Sequence, residues 1–445
     1  MKTHIVFLTA VSLLLFNILS VDAQRITATK GFTYDPDLAA LCINEEQIEK
    51  IDSLLNSFVA QRKVNCVSAF VAKKGNVVYK KAFGLKDIAN QIPASVDDYY
   101  VLFSQTKAIT TVAFMTLVEK GLVAVDDPVA DYFPEISDQV VTKVNEDGTY
   151  ETRPVTTPVT FAHLMSHSSG LSAGLVREIR RKEGEKTGAP AGFGGDIPTN
   201  KPAGQRSFGG KADAQFLKDE MIALSRYPLG FDPGSEWNYH ISTNMLAYMV
   251  ELISGQSLRD YVKETILVPL GMDNTDWYYP QEALSRFVRP YSYVDGKLTE
   301  GSTMYADATI SDSQSYCEGA IGLNGPIEDY AKFCQMLLNK GEFNGHQILK
   351  PETVELMTKV NRLPELNSGG KGFRFGLGFE LYNEHKKPVP SVSNSAYAWG
   401  GMLGTEYIVD PENELVVLFY INMFKRESLY PVFLESVYKL FSSEK

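Results

Sequence analysis

The chain has 445 residues, with 43 lysines and arginines against 54 aspartates and glutamates, a net charge of −11. An acidic chain without a basic tract argues against nucleic acid as a partner. The length suits one large domain or two to three ordinary ones. The four cysteines (Cys42, Cys66, Cys317, Cys334) are few and lack zinc-type spacing, so each is expected to pack as a small hydrophobe; export permits a disulfide, but spacing does not pair them.

Lys2 precedes an apolar run, Ile5 to Leu19, and then Val21-Asp22-Ala23-Gln24. This is the pattern of a secretory signal peptide over residues 1–23, cleaved after Ala23. The run is too short for a comfortable membrane span. No later segment is long and apolar enough to cross a bilayer, and no cysteine follows the cleavage point to carry a lipid. The mature chain, residues 24–445, is therefore expected to be exported, periplasmic or secreted, with no membrane anchor.

Ile48, Ile51, Leu54, Leu55 and Phe58 recur at helical spacing and predict a helix over residues 45–61. Val67 to Ala72 and Val77 to Ala82 are strand-like runs around Lys73-Lys74-Gly75-Asn76, which predicts a hairpin. Tyr99-Tyr100-Val101-Leu102-Phe103-Ser104-Gln105-Thr106-Lys107 leads into the apolar run Ala108 to Val118, the pattern of a buried helix stopped at Gly121. Ser104 falls in its first turn and Lys107 three residues on, so both side chains share one face. A lysine desolvated beside apolar surface has its pKa pulled down toward a value at which it can help deprotonate a serine, and the helix N-terminus can steady an oxyanion. The bland alternative is a serine cap with an exposed lysine.

Ser-x-x-Lys also occurs at Ser368, Ser436 and Ser442, but only Ser104 opens a buried helix. Phe161-Ala162-His163-Leu164-Met165-Ser166-His167 predicts a short helix ending at Ser169-Gly170. His163 and His167 have zincin spacing, yet Leu164 stands where a zincin needs glutamate. Gly170-Leu171-Ser172-Ala173-Gly174 matches the nucleophile elbow of α/β-hydrolases but lacks the strand before it that an elbow requires. Arg177 to Lys211, rich in Gly, Pro and charge, is a functional lid or disordered. Helical patterns resume at 214–225, 242–253, 258–266 and 327–338.

Tyr239, in Trp237-Asn238-Tyr239-His240-Ile241, is a candidate acid–base group, since a phenol beside an ammonium can persist as phenolate; the alternative is a ring packed before a helix. Trp399-Gly400-Gly401-Met402 enters a strand, and adjacent glycines let a substrate approach the backbone; the alternative is a β-bulge. Thr405 to Val409 and Leu415 to Ile421 predict a second hairpin, followed by an amphipathic helix from 428 to 441. The fold class is thus α+β: an antiparallel sheet from both chain ends (about 45–100 and 330–445), flanked by helices, with a mostly helical insertion (about 101–329).

Together these stretches, with Leu164-Met165-Ser166-His167-Ser168-Ser169-Gly170-Leu171, Pro269-Leu270-Gly271-Met272 and Gly404-Thr405, resemble the serine β-lactamase and penicillin-binding-protein superfamily. The chain is most similar there to class C β-lactamases and family VIII carboxylesterases. The resemblance implies that Ser104 is acylated, that Lys107 is its partner, that Tyr239 is the base that shuttles the proton, and that the amides of Ser104 and Met402 hold the oxyanion. It implies no metal and no cofactor. Two departures bear on substrate. Ile241 stands where the second motif commonly has asparagine, and Trp399 where β-lactamases commonly have lysine. A hydrogen bond to a charge contributes roughly 1.5–3 kcal/mol, so losing that lysine weakens binding of penicillin-like or peptide carboxylates. The sequence-based expectation is a small-molecule ester hydrolase, with a β-lactamase or D-amino-acid peptidase, or a silent binding protein on the same scaffold, as alternatives.

Overall fold

A computed structural model describes residues 31–43, 45–184, 216–307, 309–310 and 316–441. The expected signal peptide, most of Arg177–Lys211 and Ser442 lie outside them. The main sheet has seven strands, all antiparallel, and they come from the two ends of the chain. Its order in space is Glu380–Leu381, Tyr397–Gly400, Thr405–Asp410, Leu415–Tyr420, Cys66–Lys73, Asn76–Asp87 and Ile92–Pro93. The join between the two ends is the pairing of Cys66–Lys73 with Leu415–Tyr420, both almost wholly buried. Strands covered on both faces read as continuous apolar runs, which is why CVSAFVAK and LVVLFY show no alternation.

Side chains on one face of this sheet, including Val67, Ala69 and Val71, pack with the Glu45–Ala60 and Tyr430–Lys439 helices. The other face, including Phe70 and Leu418, joins a larger core containing the Ile327–Leu338 helix and the helical middle of the chain. The α+β architecture expected from the sequence is the one observed. Cys66, Cys317 and Cys334 are buried thiols, as expected of small hydrophobes, whereas Cys42 is exposed.

The centre of the helical part is Thr106–Glu119, whose residues from Thr106 to Leu117 are all buried. It packs against Ser242–Ser254. Its polar side chains Thr106, Lys107 and Thr110 grip one segment. Thr110 Oγ1 donates to Gly319 O (2.8 Å), Lys107 Nζ to Ala320 O (2.8 Å), and Leu323 N donates to Thr106 Oγ1 (3.0 Å). A Cβ on Gly319 would lie 2.3 Å from Ala247 Cβ, so only glycine lets that segment pass between the two helices.

Candidate active site

Ser104 does not begin the α-helix itself. It lies in a 3₁₀ turn, Phe103–Gln105, that runs directly into Thr106–Glu119. Phe103 has φ +46°, a left-handed conformation that costs an ordinary residue roughly 1–2 kcal/mol. The surroundings hold it there: the Phe103 ring is buried, Leu102 N donates to Leu323 O (3.1 Å), and Tyr330 Oη donates to Gln105 O (2.9 Å). Phe103 and Gln105 are buried on either side, while Ser104 keeps partial exposure.

Lys107 is 1 % exposed, and its Nζ has three oxygen or nitrogen neighbours: Ser104 Oγ (3.2 Å), His240 Nδ1 (3.2 Å) and Ala320 O (2.8 Å). On the other side of the ring, Glu318 Oε1 lies 3.9 Å from His240 Nε2. Burial pushes the Lys107 pKa down to about 7, opposed by the Glu318 carboxylate. Burial likewise pushes Glu318 up to about 7, with Asn244 and Lys107 acting the other way. His240 and His167 are held well below the usual imidazole value, first by burial and then by Lys107, so both rings are neutral. Of the Lys107 contacts, the one to Ala320 O is a hydrogen bond that the lysine donates. Lys107 Nζ also lies in hydrogen-bond contact with Ser104 Oγ, at 3.2 Å.

Tyr239 stands over this pair. Lys107 Nζ is 4.6 Å from the centre of its ring, and its hydroxyl is within hydrogen-bonding reach of Ser104. Trp399 Nε1 donates to Tyr239 Oη at 2.8 Å. Burial raises the phenol's pKa, although its bonds to Ser104 and Trp399 act in the opposite sense. The phenolate expected from the sequence is therefore replaced by a neutral phenol, and the lysine is the group poised to lose its proton. The reason is desolvation: both groups are pushed toward their uncharged forms.

Around Tyr239 lies an aromatic wall. Trp237 stacks on it (5.6 Å between ring centres), Trp399 tilts against it (5.1 Å), and Phe373 and Phe375 close the wall behind them. Trp399 and Gly400 end the Tyr397–Gly400 strand, which the Gly401–Gly404 turn then follows. A Cβ on Gly401 would meet Leu102 O at 2.4 Å, so the glycine brings this strand end against the backbone two residues before Ser104. Met402 is exposed at the tip.

Ser104, Lys107, Tyr239, Trp399, Gly400 and Gly401 thus converge. Ile241 does not belong with them. It is 2 % exposed and sits in the main core. The backbone turns at His240, with φ +110°, so the middle residue of Tyr-His-Ile faces the lysine and the third points inward. His240, Glu318, Asn244 and Ala320 were not identified from sequence, because no local motif announces them; only His240 had a signal, its place next to Tyr239. Of the decoys, Ser172 caps the Ala173–Lys182 helix by accepting from Leu175 N (3.1 Å). His163 Nδ1 accepts from Thr160 N (3.2 Å) in a capping box, and Ser368 and Ser436 bond to local or loop carbonyls.

The profile of the family described as Beta-lactamase matches residues 51–431. The chain belongs to the Beta-lactamase family. Within it, this chain is a serine hydrolase. Among its relatives is Esterase EstB of Burkholderia gladioli, 26 % identical over 391 residues, covering 84 % of this chain and 90 % of that one. Among solved structures, EstCE1, a hydrolase with promiscuous acyltransferase activity, aligns with TM-score 0.71 at 21 % identity, over 88 % of this chain and 99 % of its own. A family VIII carboxylesterase aligns with TM-score 0.64 at 17 % identity, over 89 % and 98 %. These two likenesses bear on the fold.

Proposed function

We propose that this Beta-lactamase-family chain hydrolyses carboxylic esters of small molecules through an acyl-enzyme on Ser104. The observation that carries the reading is Trp399. Where the resemblance would place a lysine to receive a substrate carboxylate, this chain has an indole that binds the catalytic phenol and extends an aromatic wall. An aromatic wall favours an uncharged, apolar acyl or alkyl group over a carboxylate. The kinship with Esterase EstB supports the same branch.

In this scheme neutral Lys107 accepts the Ser104 proton as Oγ attacks the ester carbonyl, and the amides of Ser104 and Met402 receive the oxyanion. The Tyr239 hydroxyl donates a proton to the departing alkoxide and is reprotonated from the Lys107 ammonium, so the alcohol leaves neutral. Water then attacks the acyl group by the same path in reverse, and the acid and free Ser104 are released. The amine that starts the cycle is restored at its end.

The test is direct. Purified protein is expected to hydrolyse short-chain nitrophenyl esters and to take one fluorophosphonate label, on Ser104. Rapid cephalosporin hydrolysis with no ester turnover would place it in the β-lactamase branch instead. A label on Ser172, or none, would reject the nucleophile. We also propose that the chain is exported after cleavage following Ala23. N-terminal sequencing of protein from a periplasmic extract checks this, and a retained Met1 refutes it.

A further inference from the structure

The turn that would bring Met402 N–H to the oxyanion is tied from behind by a side chain outside the catalytic group. Two peptide planes flank the Met402 Cα. Gly404 N donates to Gly401 O (2.9 Å), which fixes the first plane, the one that carries the Met402 N–H on its opposite edge. Arg426 Nη1 donates to Met402 O (2.7 Å), which fixes the second. The same nitrogen donates to Met423 O (3.2 Å), so the guanidinium bridges the turn and the chain that follows the Leu415–Tyr420 strand.

Glu406 holds the guanidinium in that position. Its Oε1 lies 3.5 Å from Arg426 Nη2. Its other oxygen lies only 2.1 Å from where a Cβ on Gly400 would be. Gly400, the first glycine of Trp-Gly-Gly, therefore leaves room for a carboxylate on that side of the sheet. Glu406 is the register partner of Gly400 across the two strands, so the contact is set by the pairing itself. Behind them lies an open cavity of about 320 Å³, lined by Gly404, Glu406, Phe419, Arg426, Ser428 and Tyr430 among others.

We propose that Arg426, oriented by Glu406, is a positioning residue that fixes the direction of the Met402 amide for the oxyanion of the reaction at Ser104. This rests on the reading of Ser104 as the acylated nucleophile and of Met402 as an oxyanion donor. Neither side chain touches the reacting atoms; both act through the turn.

Arg426→Ala tests it, with an ester substrate. Removing one oxyanion donor typically costs 10²–10³ in kcat, so a misdirected donor is expected to lower kcat by about 10–100-fold with KM changed less than about threefold. The cavity leaves room for a small cation at the vacated place. Millimolar guanidinium chloride, far below denaturing levels, is expected to restore much of the lost rate in Arg426→Ala and to leave the unmutated enzyme unchanged. Arg426→Lys, which keeps one donor, is expected to fall between. A wild-type kcat in Arg426→Ala, a loss confined to KM, or a loss that guanidinium does not relieve overturns the proposal. Should Arg426→Ala fold poorly, Glu406→Gln takes its place, with an expected several-fold fall in kcat and an unchanged value as the refutation. Wild-type enzyme that neither turns over ester nor labels at Ser104 sinks the functional reading itself; active wild type with an unaffected Arg426→Ala sinks only this proposal.

Discussion

Lys107 and His240 stand 133 positions apart in the chain, yet Nζ and Nδ1 meet at 3.2 Å. That contact, with the 2.8 Å bond to Ala320 O, holds Nζ 3.2 Å from Ser104 Oγ. In the proposed reaction the lysine acts first and the tyrosine second.

Ser104→Ala is expected to abolish ester turnover and fluorophosphonate labelling while leaving the melting temperature within a few degrees of wild type. The side chain is partly exposed and loses only a hydroxyl. Calorimetry beside a labelling assay checks both halves. Retained turnover rejects Ser104 as the nucleophile.

The pH profile reports on Lys107. With its pKa held at about 7 by burial, the amine is charged and inactive below that value and neutral above it. The acylation rate, read as kcat/KM, is expected to rise through about pH 7 and then level off. Tyr239, raised by burial, adds no falling limb in the ordinary assay range. The Glu318 carboxylate opposes the depression of Lys107. Glu318→Gln removes that opposition, so the rising limb is expected to move to lower pH; a move to higher pH contradicts the assignment.

Stability carries the same signature with a defined sign. A lysine unfolds to an ordinary pKa of about 10.4. Between about 7 and that value the unfolded chain holds a proton that the folded chain does not. The unfolding free energy therefore gains up to one proton's worth of upward slope with pH across this window. Lys107→Met is expected to flatten that slope, measured by urea unfolding at pH 7 to 10. Equal slopes in the two proteins would mean the lysine is charged when folded.

Tyr239→Phe removes the proton donor to the leaving group and is expected to slow turnover by roughly 10²–10⁴. Trp399→Phe keeps the aromatic wall but removes the 2.8 Å bond to Tyr239 Oη. A single net hydrogen bond is worth about 1 kcal/mol, so about a fivefold loss is expected. Steady-state kinetics on one ester distinguish them, and an effect of Trp399→Phe as large as that of Tyr239→Phe would show the indole doing more than orienting the phenol.

The sequence by itself determined the terminal strands and the main helices and singled out Ser104 as the candidate nucleophile, but not the hairpins Gln139–Val144/Tyr150–Pro154 and Tyr291–Val294/Lys297–Glu300 or the helix Pro351–Lys359. The buried runs of the two terminal hairpins, the apolar stretch after Lys107 and the spacing of Ser104 and Lys107 are local patterns, and locality is what periodicity records. Tyr239 and the Trp-Gly-Gly strand end were legible only as members of an ordered set of short motifs. The tertiary structure alone decided that His240, not Ile241, faces the lysine, because one backbone turn at φ +110° exchanges their directions. It alone showed Glu318 and Ala320 beside Lys107 and His240 and Arg426 behind the Met402 turn, since no local pattern records these contacts. It also replaced the phenolate expected of Tyr239 with a neutral phenol, while the lowered pKa of Lys107 is the one the sequence led us to expect. A sequence lists ionisable groups without their solvent, and it is the loss of water around both that drives the amine and the phenol to their neutral forms.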